Sequence, residues 1–197
     1  MITAKPALVR DDILSNDEFM ARRKELQQAL RAHKADRRLD IGPFTSVYFE
    51  SYFTMWWQVH EMLRVEQGGE EQIAEELMAY ATLVPNGRSL CATMMIEIDE
   101  PVRRARELSR LGGIEHTVSL VIGGEAVRGE SDDDLDRTNA DGKASAVHFF
   151  VFNLTDDQAA ALKDPATDVQ YRISHENYNH TTGLSAAAKA SLAADLI

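Results

Sequence analysis

The chain has 197 residues, 44% of them hydrophobic, and a formal net charge of −11. This length and composition predict one globular protein with a real core, and the acidic balance disfavours a general nucleic-acid binder because phosphate contacts need a basic surface. The single cysteine, Cys91, excludes an internal disulfide, a CxxC redox pair and an all-cysteine iron–sulfur or zinc site within one chain.

The chain carries no recognisable targeting or membrane segment. Its first residues lack the apolar core of a signal peptide, and the longest uncharged run, residues 144–155, is too short to span a bilayer. Because a single unpaired cysteine also suits a reducing compartment, we expect a soluble cytoplasmic protein.

Residues 1–84 are predicted to form a helical portion of three helices. Ser15 and Glu18 make a capping box, which predicts a helix that ends near Ala35 and buries Phe19, Leu26 and Leu30. The stretch 44–68 is read as one long amphipathic helix that stops at a Gly-Gly pair. A third helix, residues 71–83, is expected to bury Ile73, Leu77 and Tyr80.

Residues 85–197 follow a different pattern, which begins after the turn signal Pro-Asn-Gly at 85–87. Its elements read β-α-β, a hairpin arm, then β-α-β-α, with strands predicted at 89–98, 116–122, 125–130, 146–153 and 169–174. This order predicts an α+β fold in which the helical portion packs on an antiparallel, ferredoxin-like (split βαβ) sheet with an inserted hairpin arm. The segment 131–143 is predicted to be an acidic loop. We expect the two portions to form one integrated globular unit.

The predicted central helix carries a polar stripe opposite its apolar face. An indole inside a charged stripe is unusual for a solvated helix face, so we predict that the stripe is an interaction or pocket face. An ordinary intrahelical ion pair between the residues at positions 61 and 64 remains an alternative. The stripe consists of Glu50, Thr54, Trp57, Gln58, Glu61 and Arg64.

Two sets of side chains are candidate metal ligands. Imidazole and carboxylate groups suit zinc, iron and manganese, and loops can bring such groups together from distant positions. His60 and Glu61 begin the zincin motif H-E-x-x-H, but Arg64 stands where the second histidine is needed, so that reading is rejected. The first set is His148, His175 and His180; the second is Glu50 or Glu61 with Glu75 or Glu76.

Several residues of the central helix and its surroundings resemble a bacterial family of proteins of unknown function, DUF3501. The resemblance spans nearly the whole chain, and it implies that the polar stripe rather than the histidines is the shared feature. It also implies a role beside rubrerythrin and an iron–sulfur oxidoreductase in oxidative-stress defence. The residues that carry it are Arg37, Arg38, Gly42, Phe49, Glu50, Thr54, Gln58, Glu61, Met62, Arg64 and Glu66, and more weakly Glu76, Leu77, Tyr80, Thr93 and Glu97.

Our first functional hypothesis is a non-catalytic accessory protein that docks a redox partner through the stripe. The alternative is a small metal-dependent enzyme that uses one of the two ligand sets, the metal ion being its cofactor. A third hypothesis is a small-molecule sensor with a pocket between the helical portion and the sheet. The apolar excess of the central helix also makes a homodimer a reasonable expectation.

Overall fold

The computed structural model of the chain describes residues 5–131 and 142–197. These residues form an α+β fold of six α-helices and two four-stranded antiparallel sheets, which confirms the predicted class. Before residue 85 the elements are α1 (Asn16–Ala35), β1 (Arg38–Ile41), β2 (Thr45–Glu50), α2 (Tyr52–Glu66) and α3 (Gly69–Tyr80). The elements that follow are β3 (Ser89–Ile96), α4 (Pro101–Ser109), β4 (Val118–Ile122), β5 (Glu125–Arg128), β6 (Val147–Asn153), α5 (Asp156–Lys163), β7 (Val169–His175), β8 (Tyr178–Gly183) and α6 (Ala186–Ala193).

The strands are divided between two sheets rather than collected in one. The first sheet has the order β1-β2-β3-β6 and the second the order β5-β4-β7-β8. The structure therefore does not show a ferredoxin-like sheet: β3 and β6 lie in the first sheet, whereas β4 and β7 lie in the second. The predicted hairpin arm, β4 and β5, is part of the second sheet because β4 also pairs with β7.

The two sheets face each other and enclose the main hydrophobic core. Alternate side chains of both sheets point into this core, among them Phe150 and Phe152 of β6 and Tyr171 of β7, all fully buried. At one side Tyr178 of β8 donates to the carbonyl oxygen of Ile41 at 2.5 Å. At the other side Glu130 forms a bridge to β6. The sheets therefore close on each other at both sides. The two sheets and the core between them are called the sandwich below.

One glycine permits this closure. Gly42 lies in the turn between β1 and β2 with φ of +65°, a backbone conformation that favours glycine. A Cβ at this position would lie 2.6 Å from the ring of His180. The turn can therefore pass beneath β8 only without a side chain.

The predicted long helix at 44–68 is wrong in its first third. Residues 45–50 form the strand β2, which pairs with β1 and β3 and buries Val47 and Phe49. The helix α2 begins only after Ser51, whose side chain accepts a hydrogen bond from the amide of Thr54. The β-branched and aromatic residues of this segment suit a strand, and the cap separates it from the helix.

The helical portion consists of α1 and α3 packed on α2. The predicted seam of α1 is confirmed, since Phe19, Leu26 and Leu30 are its buried residues. The predicted face of α3 is wrong: its buried residues are Gln72 and Glu76, whereas Ile73, Leu77 and Tyr80 are half-buried. The segment before residue 85 also contributes two strands to the first sheet, in addition to its three helices.

Residues 175–180, which include two of the candidate metal ligands, span the tight turn that joins β7 to β8 in a β-hairpin. The predicted acidic loop at 131–143 falls largely on residues 132–141, which lie outside the described residues. Within the part of the chain that the structure describes, no helix is both long and apolar enough to cross a membrane.

Candidate functional site

Half of the predicted polar stripe is buried inside the chain itself. Thr54 closes the cap of α2, and Trp57 packs edge-on against Phe19 of α1, with ring centroids 5.3 Å apart. Glu50, at the end of β2, is 9% exposed, and its carboxylate accepts a hydrogen bond of 2.6 Å from the hydroxyl of Thr93. A partner can therefore reach only the other half of the stripe.

Glu61 is the centre of a charge cluster between α1 and α2. Its two carboxylate oxygens accept hydrogen bonds of 2.7 and 3.0 Å from the guanidinium of Arg23, and one of them accepts a third, of 3.0 Å, from Arg64. The hydrogen bond from Arg23 is the main reason that the pKa of Glu61 lies below its usual range. The guanidinium of Arg23 also lies over the ring of Trp57. The stripe therefore meets α1, and the Glu61–Arg64 pair is one part of a larger cluster.

The remaining stripe residue, Gln58, faces α3. Its side-chain amide donates to the hydroxyl of Tyr80 at 3.3 Å. Further along the same helix pair, the amide nitrogen of Gln72 lies 3.0 Å from Glu66 and 3.4 Å from Glu76, and its oxygen accepts from the backbone of Gly68 at 2.6 Å. Polar contacts thus hold α3 against α2.

The candidate metal ligands lie in separate places. His148 is buried on β6, with Nε2 2.9 Å from the carbonyl oxygen of Ser145. His175 lies on β7, with its ring nitrogens near the carbonyl of Gly112 and the amide of Asn177, and His180 packs against Tyr178. Of the carboxylates, Glu76 is buried beside Gln72 and Glu75 is exposed. Within residues 5–131 and 142–197 no three His, Cys, Asp or Glu side chains are grouped so that they could hold a metal ion.

Cys91 is a buried residue of β3. Its thiol lies 3.5 Å from the carbonyl oxygen of Thr82. Burial raises the pKa of the thiol to about 12, so the thiolate that a nucleophile or ligand requires is disfavoured here.

A buried arginine joins the C-terminal helix to the first sheet; the resemblance to DUF3501 included this residue, but no role was predicted for it. Arg37 is 1% exposed and donates to the carboxylate of Asp195 at 2.8 Å, to the backbone and hydroxyl oxygens of Ser191 at 2.7 and 3.0 Å, and to the carbonyl of Glu50 at 3.0 Å. Burial raises the pKa of Asp195 against the opposing effect of Arg37. The sequence showed Arg37 only as part of a basic pair and among the residues shared with DUF3501, and nothing local indicates a partner 158 residues away.

A groove runs over α2 between α1 and α3. Its volume is about 450 Å³. Apolar side chains of all three helices line it, together with an ion pair at which Arg10 donates to both carboxylate oxygens of Glu70 at 2.8 and 2.5 Å. This groove lies within the helical portion, not between that portion and the sheet as the sensor hypothesis expected.

His60 forms part of the groove wall, and its contacts fix its protonation. Its Nδ1 lies 2.7 Å from the carbonyl oxygen of Trp56, which can only accept, and its Nε2 lies 3.0 Å from the amide of Leu14, which can only donate. The ring is therefore neutral with the proton on Nδ1. Burial lowers the pKa of His60, in agreement with this state.

Comparison with known proteins gives a family and a structural relative. Residues 7–196 match the family described as "Protein of unknown function (DUF3501)". A crystal structure of a novel protein of unknown function from Burkholderia pseudomallei K96243 superposes with a TM-score of 0.88 at 36% identity, covering 97% of this chain and 100% of that chain. No curated protein matches the chain. The chain belongs to the DUF3501 family, which confirms the resemblance seen in its sequence.

Proposed function

We propose that this chain is a non-catalytic accessory protein that binds a redox partner through the outer surface of α1–α3. The observation that carries the proposal is the exposure of large hydrophobic side chains on these three helices. Of the large hydrophobic side chains exposed among the described residues, one lies on each of these three helices: Met20 on α1 (50% exposed), Val65 on α2 (64%) and Met78 on α3 (75%). Contiguous exposed apolar side chains are a feature of partner-binding surfaces, and we propose that these three form such a patch.

The packing of α3 supports the same proposal. This helix buries Gln72 and Glu76 against α2 and leaves Leu77 half-buried and Met78 exposed. A helix stabilised by its neighbours alone places its apolar stripe inward. The arrangement in α3 therefore suits a helix that completes its burial against another protein.

The charges on this surface indicate the kind of partner. Exposed carboxylates lie close in sequence to the apolar side chains, at Glu66, Glu71 and Glu75. Glu61 is already held by two arginines. We therefore expect a partner whose contact surface is apolar at the centre with basic residues at its rim, and binding that weakens with salt.

The redox part of the proposal rests on the family. The resemblance to DUF3501 implies a place beside rubrerythrin and an iron–sulfur oxidoreductase. The one cysteine of the chain is buried, so a cluster and its electrons would belong to the partner. The alternative of a metal-dependent enzyme gains no such support from residues 5–131 and 142–197, whose candidate ligands lie apart.

The test is direct binding of purified rubrerythrin and of the iron–sulfur oxidoreductase from the same genome, measured by isothermal titration calorimetry. We expect one of the two to bind, and the double change Val65→Asp with Met78→Asp to weaken that binding at least tenfold. Both side chains are exposed, so the fold should tolerate the change. The matched control is Val102→Asp on α4, where the side chain is 77% exposed, and we expect it to leave affinity unchanged.

Failure of both proteins to bind, or equal weakening by the control, would contradict the proposal. A Glu61→Arg change is a poorer test because it places a third cation beside Arg23 and Arg64 and disturbs the α1–α2 contact itself. A homodimer through the same surface is a competing outcome. Analytical ultracentrifugation of the double variant detects it as a loss of dimer without any added partner.

A further inference from the structure

We propose that the groove between α1 and α3 is a binding site for a small carboxylate with a flat apolar body. The proposal does not rest on the docking function. It rests on three features of the groove: its size, its unfilled apolar lining, and Arg10, which pairs with Glu70 in the first turn of α3.

The size of the groove suits a small molecule. Ligand sites in proteins are commonly 300–1,000 Å³ in volume, and this groove has about 450 Å³. A body of two fused aromatic rings fits such a space with room for a polar group.

The lining of the groove is apolar and incompletely packed. Leu63 of α2 and Ile73 of α3 line it and remain half-buried, and neither belongs to the hydrophobic cluster that joins α1 to α2. The buried rings of Phe19 and His60, packed with centroids 4.8 Å apart, close the floor of the groove. An apolar ligand would thus cover side chains that the protein itself leaves partly in contact with water.

Arg10 provides the charge that selects a carboxylate. Among the described residues that line the groove, it is the one cationic side chain, because both nitrogens of His60 are engaged by backbone groups. Its guanidinium presents Nε and Nη2 side by side to Glu70, the geometry in which arginine binds a carboxylate through two hydrogen bonds. Glu70 lies in the first turn of α3, where the helix dipole also favours a negative group.

Glu70 occupies the position that we assign to the ligand, and it can leave at little cost. Its side chain is 73% exposed and that of Arg10 is 50% exposed. Exposed ion pairs of this kind contribute little to stability, and a displaced Glu70 carboxylate returns to water. A ligand carboxylate attached to an apolar body exchanges for it and adds the burial of that body.

The experiment compares two probes of the same shape and opposite charge, naphthalene-2-carboxylate and naphthalen-2-ylmethylammonium. Binding is followed by amide chemical shifts of the isotope-labelled full chain. We expect the carboxylate to bind at least tenfold more tightly than the ammonium and to shift amides of residues 10–19, 60–67 and 69–73.

Three variants locate the site. Arg10→Gln should weaken carboxylate binding at least tenfold, and Ile73→Trp should abolish it by filling the groove. Glu70→Gln should strengthen it severalfold, because the competing carboxylate is gone. Arg38→Gln, which removes another arginine paired with an acidic side chain, is the control and should change nothing.

Equal affinity for the two probes, unchanged affinity after Arg10→Gln, or no binding of either probe at millimolar concentration would overturn the assignment. Thermal unfolding of each variant checks that the fold is retained. The probe titrations contain no partner protein, so their outcome is independent of the test of docking.

Discussion

The helical portion and the sandwich use opposite means of stabilisation. The sandwich buries large apolar side chains from both sheets in one core, and its sheets close on each other at both sides. The helical portion has a smaller core, around Trp56 and Trp57, and elsewhere holds its helices together with charged and amide contacts, as at Glu61 and Gln72. The comparison teaches that apolar burial holds the sandwich together, whereas polar contacts carry a larger part of the packing between the helices.

The sharpest contrast should appear when one large side chain is removed from each region. Phe152→Ala removes a fully buried ring of the sandwich core, and we expect it to lower the free energy of unfolding by about 4 kcal/mol. Ile73→Ala shortens a half-buried side chain in the groove and should cost less than about 1 kcal/mol. Urea unfolding followed by circular dichroism measures both values. Similar losses for the two variants would mean that the groove is packed as tightly as the sandwich.

The next largest effect should come from the buried ion pair that fastens α6 to the first sheet. Arg37→Met leaves the Asp195 carboxylate buried without its partner, and we expect a loss of about 3 kcal/mol in the free energy of unfolding. The matched control is Arg88→Met, which breaks an exposed pair with Asp156 and should leave the urea midpoint unchanged. An equal effect of the two changes would show that Arg37 does not act through its buried pair.

A smaller, pH-dependent effect should come from two histidines of the helical portion. Burial, aided by the charge of Arg37, lowers the pKa of His33 to about 4, and burial also lowers the pKa of His60. Both rings are neutral in the folded chain, while in the unfolded chain they take up a proton near pH 6.5. The stability lost through His33 is therefore zero above pH 6.5 and grows as the pH is lowered from 6.5 to about 4.

For His33 alone the loss should be about 2 kcal/mol, since the shift corresponds to roughly 3.4 kcal/mol before allowance for the partly exposed ring. Urea titrations at pH 7.0, 5.5 and 4.5 measure it, and His33→Gln should flatten the pH dependence. The carboxylate of Glu61, whose pKa is lowered, loses its contribution only at lower pH and so does not confuse the result. A pH profile that His33→Gln leaves unaltered would refute this account.

The sequence predicted correctly those elements that depend on residues close together in the chain. The capping box at Ser15 and the seam of Phe19, Leu26 and Leu30 predicted α1 because each depends on residues within a few positions. The segment at 45–50 was misread because its aromatic side chains also continue the helical pattern of α2, and only pairing with β1 and β3 decides for a strand. The strand β8 was missed because its polar residues, exposed on one face, lack the apolar alternation that marks a strand.

The candidate site was harder to predict because its contacts join distant segments. Glu61 and Arg64 were recognised as a pair, but Arg23, which lies on another helix, supplies the stronger contact. The pairing of Arg10 with Glu70 spans 60 residues, and that of Arg37 with Asp195 spans 158. Such contacts depend on the fold, so the sequence indicated the residue types without indicating their partners.

The central claim is that the helices, and not the sandwich, bind the partner. Hydrogen–deuterium exchange of the full chain, alone and with the redox protein that binds it, tests this claim most directly. The account predicts slower exchange in α1–α3 with unchanged exchange in the strands β3–β8. Protection confined to the strands, or no protection anywhere in the presence of bound partner, would contradict it.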